Sequence, residues 1–444
     1  MTLAIAGQDI HRLLVLGLGV TGRAVVEYCK HHGIDVAVSE ARPLTAKERS
    51  WLAEIEVPSE ENGHSERFLA RSDAVVLSPG VPADHQAVIA AWAAGKLVLS
   101  ELDLAFSQLG AIPVIAVTGT NGKGTTATLI DRMLQLAGRR PCLGGNIGTP
   151  FISLLDETRN CDVIVLEASS FQLEQSQLIR PRVGTLLNLT PDHLCRHKTM
   201  TAYAEAKGRL FRQQRREDTA VLPRALASSF KQGQGRRVFF DAPPPALPEG
   251  SDGLSPHDRA NLAAALSSIS ALDPILGTRP ITLNAILDAF AAPHRMQNVG
   301  TVGDVRIIND SKSTNADSAV AALRSVAAPT ILLLGGQHKG AGYETLAREV
   351  ALQNVRRVIL FGEAADDLAV LFDRASVKTI RTKQLTTALE IGLSEAYTGD
   401  VLLFSPACSS FDAFENYVKR GEAFLQAVRT NPRFSPFDDK DVHP

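Results

Sequence analysis

A chain of 444 residues is too long for one hydrophobic core and predicts about two to four domains. Its 45% hydrophobic and 21% charged content and formal net charge of −2 describe a globular protein with no bulk electrostatic reason to bind nucleic acid or an anionic membrane. Five scattered cysteines (Cys29, Cys142, Cys161, Cys195 and Cys408) predict buried thiols rather than a disulfide framework or zinc site; no apolar run reaches the ~20 residues of a membrane span, and the polar start Asp9, His11, Arg12 does not read as a signal peptide, so the expected location is cytoplasmic.

In chain order, residues 13–16 read as a strand, Gly17-Leu18-Gly19-Val20-Thr21-Gly22 as a glycine turn, 23–31 as a helix and 35–39 as a strand ending at Glu40. This β-α-β unit carries the dinucleotide fingerprint and, read alone, fits NAD; the same turn serves any phosphate-bearing ligand, and the same sheet can be purely structural. The apolar run Ala74-Val75-Val76-Leu77 ends at Ser78-Pro79-Gly80, a turn where a ligand could lie. The pattern lapses between Leu102 and Pro113, which sets the first boundary and an N-terminal domain over 1–110.

Pro113 opens an apolar strand that breaks into Gly119-Thr120-Asn121-Gly122-Lys123-Gly124-Thr125-Thr126 and a helix over 125–137. Glycines let the backbone turn tightly and aim its N–H groups at an anion, and the helix adds its positive N-terminus. Lys123 would sit against nucleotide phosphates and Thr125 near a metal. The general phosphate-loop pattern has Ser or Thr directly after Gly-Lys, and here Gly124 intervenes; the plain alternative is a strand-to-helix turn with an exposed lysine. Downstream, Gly144-Gly145-Asn146-Ile147-Gly148 is another glycine-rich turn, and a strand over 162–166 ends at Glu167. Glu167 suits a Mg²⁺ whose other ligands are water and phosphate, and equally suits a helix cap. Asp192-His193 follows a strand, where a lone histidine is more often structural. Lys207, in a helix over 201–211, reads from pattern alone as solvated surface. The Pro-rich segment 241–249 reads as a surface excursion, and helical periodicity resumes over 259–268.

After Pro293-His294-Arg295 come strands over 305–309, 330–334, 357–361 and 401–404, separated by helical stretches; they predict a further parallel sheet covered on both faces. Ligands bind beyond the carboxyl ends of such strands, which singles out Asp310, Lys312, Thr314, Lys339 and Ser410. No Ser-His-Asp spacing, paired-acid signature or His-x-x-x-His pair stands out, so phosphate chemistry is the strongest reading of the residues.

Gly119-Thr-Asn-Gly-Lys123, Gly144-Gly-Asn146-Ile-Gly148, Leu166-Glu-Ala-Ser-Ser170, Asp192-His193, Pro293-His-Arg295, Asn309-Asp-Ser-Lys-Ser-Thr-Asn315 and Ser405-Pro-Ala-Cys-Ser-Ser410, taken together, resemble the Mur ligases, and among them the D-glutamate-adding members. The resemblance runs from Gly17 to Arg420 in the family's order. It implies three α/β domains: a Rossmann-like UDP-sugar domain over 1–110, a central P-loop ATPase domain with a mostly parallel sheet over 111–295, and a Rossmann-like glutamate-binding domain over 296–444. It further implies a cytoplasmic, monomeric enzyme of peptidoglycan precursor synthesis. Its substrates would be the small molecules ATP, UDP-N-acetylmuramoyl-L-alanine and D-glutamate, with two Mg²⁺ and neither nucleic acid nor membrane as partner. The γ-phosphate would pass to the substrate carboxylate, giving an acyl phosphate that the amino group of glutamate attacks.

The resemblance also distributes roles. Residues Gly119 to Thr126, with Asn261, Arg295 and Asp310, would bind ATP. Thr125 and Glu167 would hold one Mg²⁺, and His193 with a carbamylated Lys207 the second. Val20, Thr21, Glu40, Arg42, Ser78, Asn146 and Ser169 would take the UDP-sugar substrate, and Lys312, Thr314, Lys339, Ser410 and Phe411 the glutamate. Lys123, Glu167, His193 and Lys207 would be the catalytic set. The chain departs from the pattern at Gly124, where Ser is usual and where the form is similar to folylpolyglutamate synthetases, and at Cys195, Asp258 and Met296-Gln297. The segment between Lys207 and His257 is short, which predicts missing strands in the central domain. An L-glutamate-adding variant, a folylpolyglutamate synthetase-like ligase, an NAD-dependent oxidoreductase and a silent nucleotide-sugar binder are the other readings.

Overall fold

The structure, a computed structural model, describes residues 2–274, 281–290, 293–338 and 343–437. Leu3–Ile5 (β1) and Gln8–Ile10 (β2) make a short antiparallel hairpin. Arg12–Leu16 (β3), Asp35–Ser39 (β4), Ser59–Glu60 (β5), Ala74–Leu77 (β6) and Leu97–Ser100 (β7) form a wholly parallel sheet in the order β5-β4-β3-β6-β7. Leu13, Leu14, Val15 and Leu16 are all buried, a continuous apolar run rather than an alternating one, because helices cover both faces of a parallel sheet. The turn after β3 requires glycine: a Cβ on Gly22 would lie 2.0 Å from Gly17 O.

The second sheet is built from Val114–Thr118 (β8), Pro141–Gly145 (β9), Val163–Glu167 (β10), Val183–Leu186 (β11), Thr219–Leu222 (β12) and Arg236–Phe239 (β13). Its order is β13-β12-β11-β8-β10-β9, and every pair is parallel. The short segment after Lys207 contributes two strands to this sheet. It supplies β12 and β13 economically, because they are joined through a single 3₁₀ turn, Arg224–Leu226, instead of a full crossover helix.

Gln297–Val302 (β14), Val305–Asn309 (β15), Thr330–Gly335 (β16), Val355–Phe361 (β17), Thr379–Arg381 (β18), Val401–Ala407 (β19) and Phe434–Pro436 (β20) form the third sheet, ordered β18-β17-β16-β19-β15-β14-β20. The four expected strands, β15, β16, β17 and β19, pair in parallel, and β14 adds antiparallel pairing to both β15 and β20. Only Gly303 and Asp304 separate β14 from β15, and so short a link permits a hairpin but no crossover.

The chain folds as two compact units, Met1–Leu189 with Thr201–Ile286, and Thr190–Met200 with Leu287–Pro444. The cysteine expectation is corrected in two ways. Cys142 and Cys161 are disulfide-bonded, since Cys142 lies on β9 and Cys161 just precedes its parallel neighbour β10, bringing their Cα atoms to 5.8 Å. Cys195 is exposed; Cys29 and Cys408 are buried thiols. Among the described residues no helix is long and apolar enough to cross a membrane.

Candidate active site

At the carboxyl end of β8 the chain turns through Gly119 to Gly122 into the helix Lys123–Leu136. Gly122 caps that helix at φ 83°, the left-handed region, and a Cβ there would meet Asn261 Oδ1 at 2.2 Å. Glycine is therefore required twice over, by backbone conformation and by the approach of Asn261 from the helix Pro256–Leu272. Asn188 clips the turn: its Oδ1 accepts from Thr120 N at 3.0 Å and Asn121 N at 2.9 Å, and its Nδ2 donates to Asn121 O at 3.1 Å. Lys123 Nζ donates to the loop's own carbonyls, Thr120 O at 2.8 Å and Gly119 O at 3.0 Å, so a cation is held within the glycine turn. Thr125 and Thr126 are buried in the first helical turn, and the Thr126 hydroxyl has no partner among the described residues. Gly124 accepts from Thr128 Oγ1 at 2.8 Å.

Beside β8, the neighbouring strands β10 and β9 end together. Glu167 is 5% exposed, and its Oε1 accepts from Asn146 Nδ2 at 2.7 Å while its backbone carbonyl accepts from Asn146 N at 2.8 Å. A Cβ on Gly145 would lie 2.4 Å from Glu167 O, so this close approach also needs glycine. The Thr125 hydroxyl and the second Glu167 oxygen carry no hydrogen bond among the described residues. They are hard oxygen donors of the kind Mg²⁺ accepts beside water and phosphate. The donor set fits that ion, although no three His, Cys, Asp or Glu side chains gather as a cage among the described residues. Ser169 is committed to a capping box: its Oγ donates to Gln172 Oε1 at 2.9 Å and accepts from Gln172 N at 3.3 Å.

Lys207 overturns the surface reading. It is 1% exposed in the helix Met200–Arg212, its Nζ donates to Gly119 O at 2.7 Å, and the ammonium lies 4.6 Å from the centre of the Tyr203 ring. The available signal was its register with Tyr203 and Ala206 on the buried side of an amphipathic helix. His193 belongs to the other compact unit. It adopts φ 55°, and its Nε2 lies 3.5 Å from Asp192 Oδ2, which also accepts from Asn315 Nδ2 at 3.1 Å.

In the first sheet Glu40 is 8% exposed and braces the glycine turn: Oε2 accepts from Leu18 N at 2.6 Å and Oε1 from Arg42 N at 3.2 Å. Ser78 Oγ donates to Gly17 O at 2.6 Å from the end of β6. Val20 projects into solvent and Thr21 is half-buried beside it. The Arg42 guanidinium is paired with Glu48 at 2.7 and 2.9 Å, which holds the Glu48 carboxyl down to about 2.

In the second unit Asp310, after β15, is fully buried; burial pushes its carboxyl up to about 6, opposed by hydrogen bonds donated by Ser313 Oγ, Ser405 Oγ at 2.7 Å and Met296 N at 3.1 Å. Lys312 lies 6.0 Å from the centre of the Tyr417 ring. Ser410 is buried and Phe411 exposed just after the β19 end. Thr314 shares this polar run, Arg295 belongs to the same unit, and Lys339 lies outside the described residues. Arg420 was missed. It has no exposed surface, and its guanidinium donates to Cys408 O at 2.9 Å, Ser409 O at 3.1 Å, Ser311 O at 2.9 Å, Ser311 Oγ at 3.2 Å and Gly335 O at 3.5 Å. It ties together the ends of β15, β16 and β19. The available signal was an arginine in register with Gly421, Phe424 and Val428 on the buried face of the helix Tyr417–Arg429. Asp258, where the family pattern has Asn, serves the cap of its helix, accepting from Ser255 Oγ at 2.9 Å.

Three family models match in chain order: "Mur ligase MurD-like, N-terminal domain" over residues 11–100, "Mur ligase middle domain" over 117–238 and "Mur ligase, glutamate ligase domain" over 294–408. The chain is 36% identical to the UDP-N-acetylmuramoylalanine–D-glutamate ligase of Desulfotalea psychrophila, covering 93% of this chain and 95% of that one. It is 37% identical to the ligase of the same name from Geobacter metallireducens, covering 96% and 98%. In fold it is similar to the MurF ligase of Thermotoga maritima in complex with ADP, with TM-score 0.56, 17% identity and coverage of 94% and 93%. The UDP-N-acetylmuramate–alanine ligase of the same organism has TM-score 0.55, 17% identity and coverage of 94% and 99%.

Proposed function

The chain belongs to the Mur ligase family, and from that membership we infer an ATP-dependent ligase that joins D-glutamate to UDP-N-acetylmuramoyl-L-alanine in peptidoglycan precursor synthesis. The observation that best supports phosphoryl chemistry is the turn at the β8 end, where Gly122, Lys123 and Asn261 surround a strand-to-helix anion site. The named relatives favour D-glutamate addition over L-glutamate addition, folylpolyglutamate synthesis, nicotinamide oxidoreduction and silent binding.

A carboxylate is a poor electrophile, and phosphorylating one of its oxygens gives an acyl phosphate, a mixed anhydride from which phosphate is a good leaving group. The γ-phosphate of ATP passes to the carboxylate of the UDP-sugar substrate, with ADP as leaving group. The amino nitrogen of glutamate then attacks the acyl carbon and loses a proton; the tetrahedral adduct expels inorganic phosphate and leaves the amide. The protein's part is positioning and charge neutralisation. Lys123 and the Gly119–Thr126 backbone face the phosphates, with Asn261 beside the nucleotide. Asn146 turns toward the substrate while fixing Glu167, and Val20, Thr21, Glu40, Arg42, Ser78 and Ser169 serve the UDP-sugar. Arg295, at the end of the central domain, and Asp310 in the C-terminal domain serve the nucleotide, and Thr314, Lys312, Lys339, Ser410 and Phe411 the glutamate. Bound Mg²⁺ supplies neutralisation of phosphate charge. Thr125 and Glu167 would hold one ion and His193 with carbamylated Lys207 a second; carbamylation makes an amine into a carboxylate-like ligand. The domains divide at 1–110, 111–295 and 296–444, and the protein acts as a monomer in the cytoplasm.

Phosphate release with ATP, Mg²⁺ and UDP-N-acetylmuramoyl-L-alanine, compared for D-glutamate, L-glutamate and no amino acid, tests this reading. Release that requires D-glutamate, and that Lys123→Ala abolishes, supports it. Release requiring L-glutamate overturns the substrate, and none under any condition overturns the ligase.

A further inference from the structure

The order β5-β4-β3-β6-β7 places a topological switch point between β3 and β6, and in such sheets a ligand lies outside the carboxyl ends of the strands there. Two histidines meet above it. The loop after β5 folds back over β4, with Gly63 N donating to Glu40 O at 3.2 Å and His64 Nδ1 hydrogen-bonded to Ser39 Oγ at 2.6 Å. His85 comes from the loop after β6, where its Nδ1 accepts from Ala87 N at 3.2 Å. Their rings are 5.1 Å apart, edge to face at 84°. Strands β5 and β6 are separated by β4 and β3, three spacings or about 14 Å, so these loops can touch only by spanning the strand ends between them. Both Nδ1 atoms are engaged; both Nε2 atoms carry no hydrogen bond among the described residues.

We propose that His64 and His85 form a clamp across the nucleotide-sugar crevice, closing on the uridine diphosphate and taking up a proton as it binds. The clamp rests on the assignment of this crevice to the UDP-sugar. The charged groups facing His64 are Glu40 and Glu60, which favour its protonation, and His85, which opposes it; burial is the largest influence, and the balance holds His64 below the ordinary histidine value. In the free protein burial and the neighbouring ring thus disfavour the charged form of His64. A diphosphate brings two negative charges beside it and reverses the preference. Binding then takes up a proton, and affinity falls as pH rises through the interval between the free and bound titrations, approaching tenfold per pH unit.

Titration calorimetry of the full chain with UDP-N-acetylmuramoyl-L-alanine at neutral pH, in buffers of different ionisation enthalpy, counts the protons directly. The probe's diphosphate is esterified at both ends and does not itself titrate near neutrality. The expected result is a substantial fraction of one proton taken up by the wild type, reduced toward zero in both His64→Gln and His85→Gln, with the variants binding several-fold more weakly than the wild type at mildly acid pH. Tight binding without proton uptake overturns the clamp, as does unchanged uptake in both variants. The wild-type count stands even if one variant fails to fold. Absence of any nucleotide-sugar binding overturns the crevice assignment, and the clamp with it.

Discussion

Arg420→Lys isolates geometry from charge in the second unit. The cation stays, so its desolvation cost stays; what changes is the number of donors. The guanidinium donates to Ser311 O and Oγ, Cys408 O, Ser409 O and Gly335 O, five acceptors, and an ammonium offers three protons. At least two of these hydrogen bonds are lost. Hydrogen bonds to a charged group contribute about 1.5–3 kcal/mol each, so the variant loses at least about 3 kcal/mol locally. Because these bonds join the loops carrying Ser311, Lys312, Ser409 and Ser410, KM for D-glutamate should rise by roughly tenfold, equivalent to about 1.4 kcal/mol, while KM for ATP changes little. Tryptophan fluorescence will not report the change, since Trp51 and Trp92 both lie in the first unit. Native-state hydrogen exchange of the β19 amides will. A loss of opening free energy below about 1 kcal/mol, the range of an exposed ion pair, or an unaltered KM for D-glutamate would refute this account of Arg420 as the tie between the strand ends.

Gly122→Ala should cost roughly 1–2 kcal/mol in backbone strain alone and displace Asn261, weakening ADP binding by more than tenfold in calorimetry; Gly138→Ala, also at positive φ but with open space around its Cβ, should leave ADP affinity unchanged. Lys207→Ala should lose turnover and recover part of it with added short-chain carboxylic acids, measured as phosphate release; no recovery would remove the support for a carbamylated ligand. Glu101 is fully buried and pushed up to about 7, mainly by desolvation, although Ile152 N donates to it at 2.6 Å. A buried acid with a raised value loses stability as pH rises from its unfolded value, near 4.5, through about 7, and the loss then stays constant. The shift corresponds to roughly 3 kcal/mol, so Glu101→Gln should abolish that slope and exceed the wild type in thermal stability at pH above about 7, while the two converge in mild acid.

Local patterns carried much of the fold and the positions of several candidate residues. The run from Ile115 to Thr126 announced a strand, a turn and a helix because apolar residues, glycines and helix formers follow one another at the spacing each element needs, and Gly122 occupies the left-handed φ that spacing implied. Glu40, Ser78, Glu167 and Asp310 all stand at strand carboxyl ends, positions readable from where an apolar run stops. Four things were not readable, because each depends on which strands become neighbours. Lys207 shares a helical face with Tyr203, but its contact with Gly119, 88 residues earlier, exists only once the helix folds across that turn. Arg420 shares a buried helical face with Gly421, Phe424 and Val428, but what it ties together is set only when β15, β16 and β19 converge on it. Cys142 and Cys161 became partners only when β9 paired with β10, and His64 met His85 only because two loops from opposite sides of one sheet lean over the same ends. The amino-acid order determined the elements and the chemical types at their tips, because periodicity and glycine placement act over a few residues. The strand order, and with it every pairing between distant side chains, was decided by burial of both faces of each sheet, a property no single segment possesses.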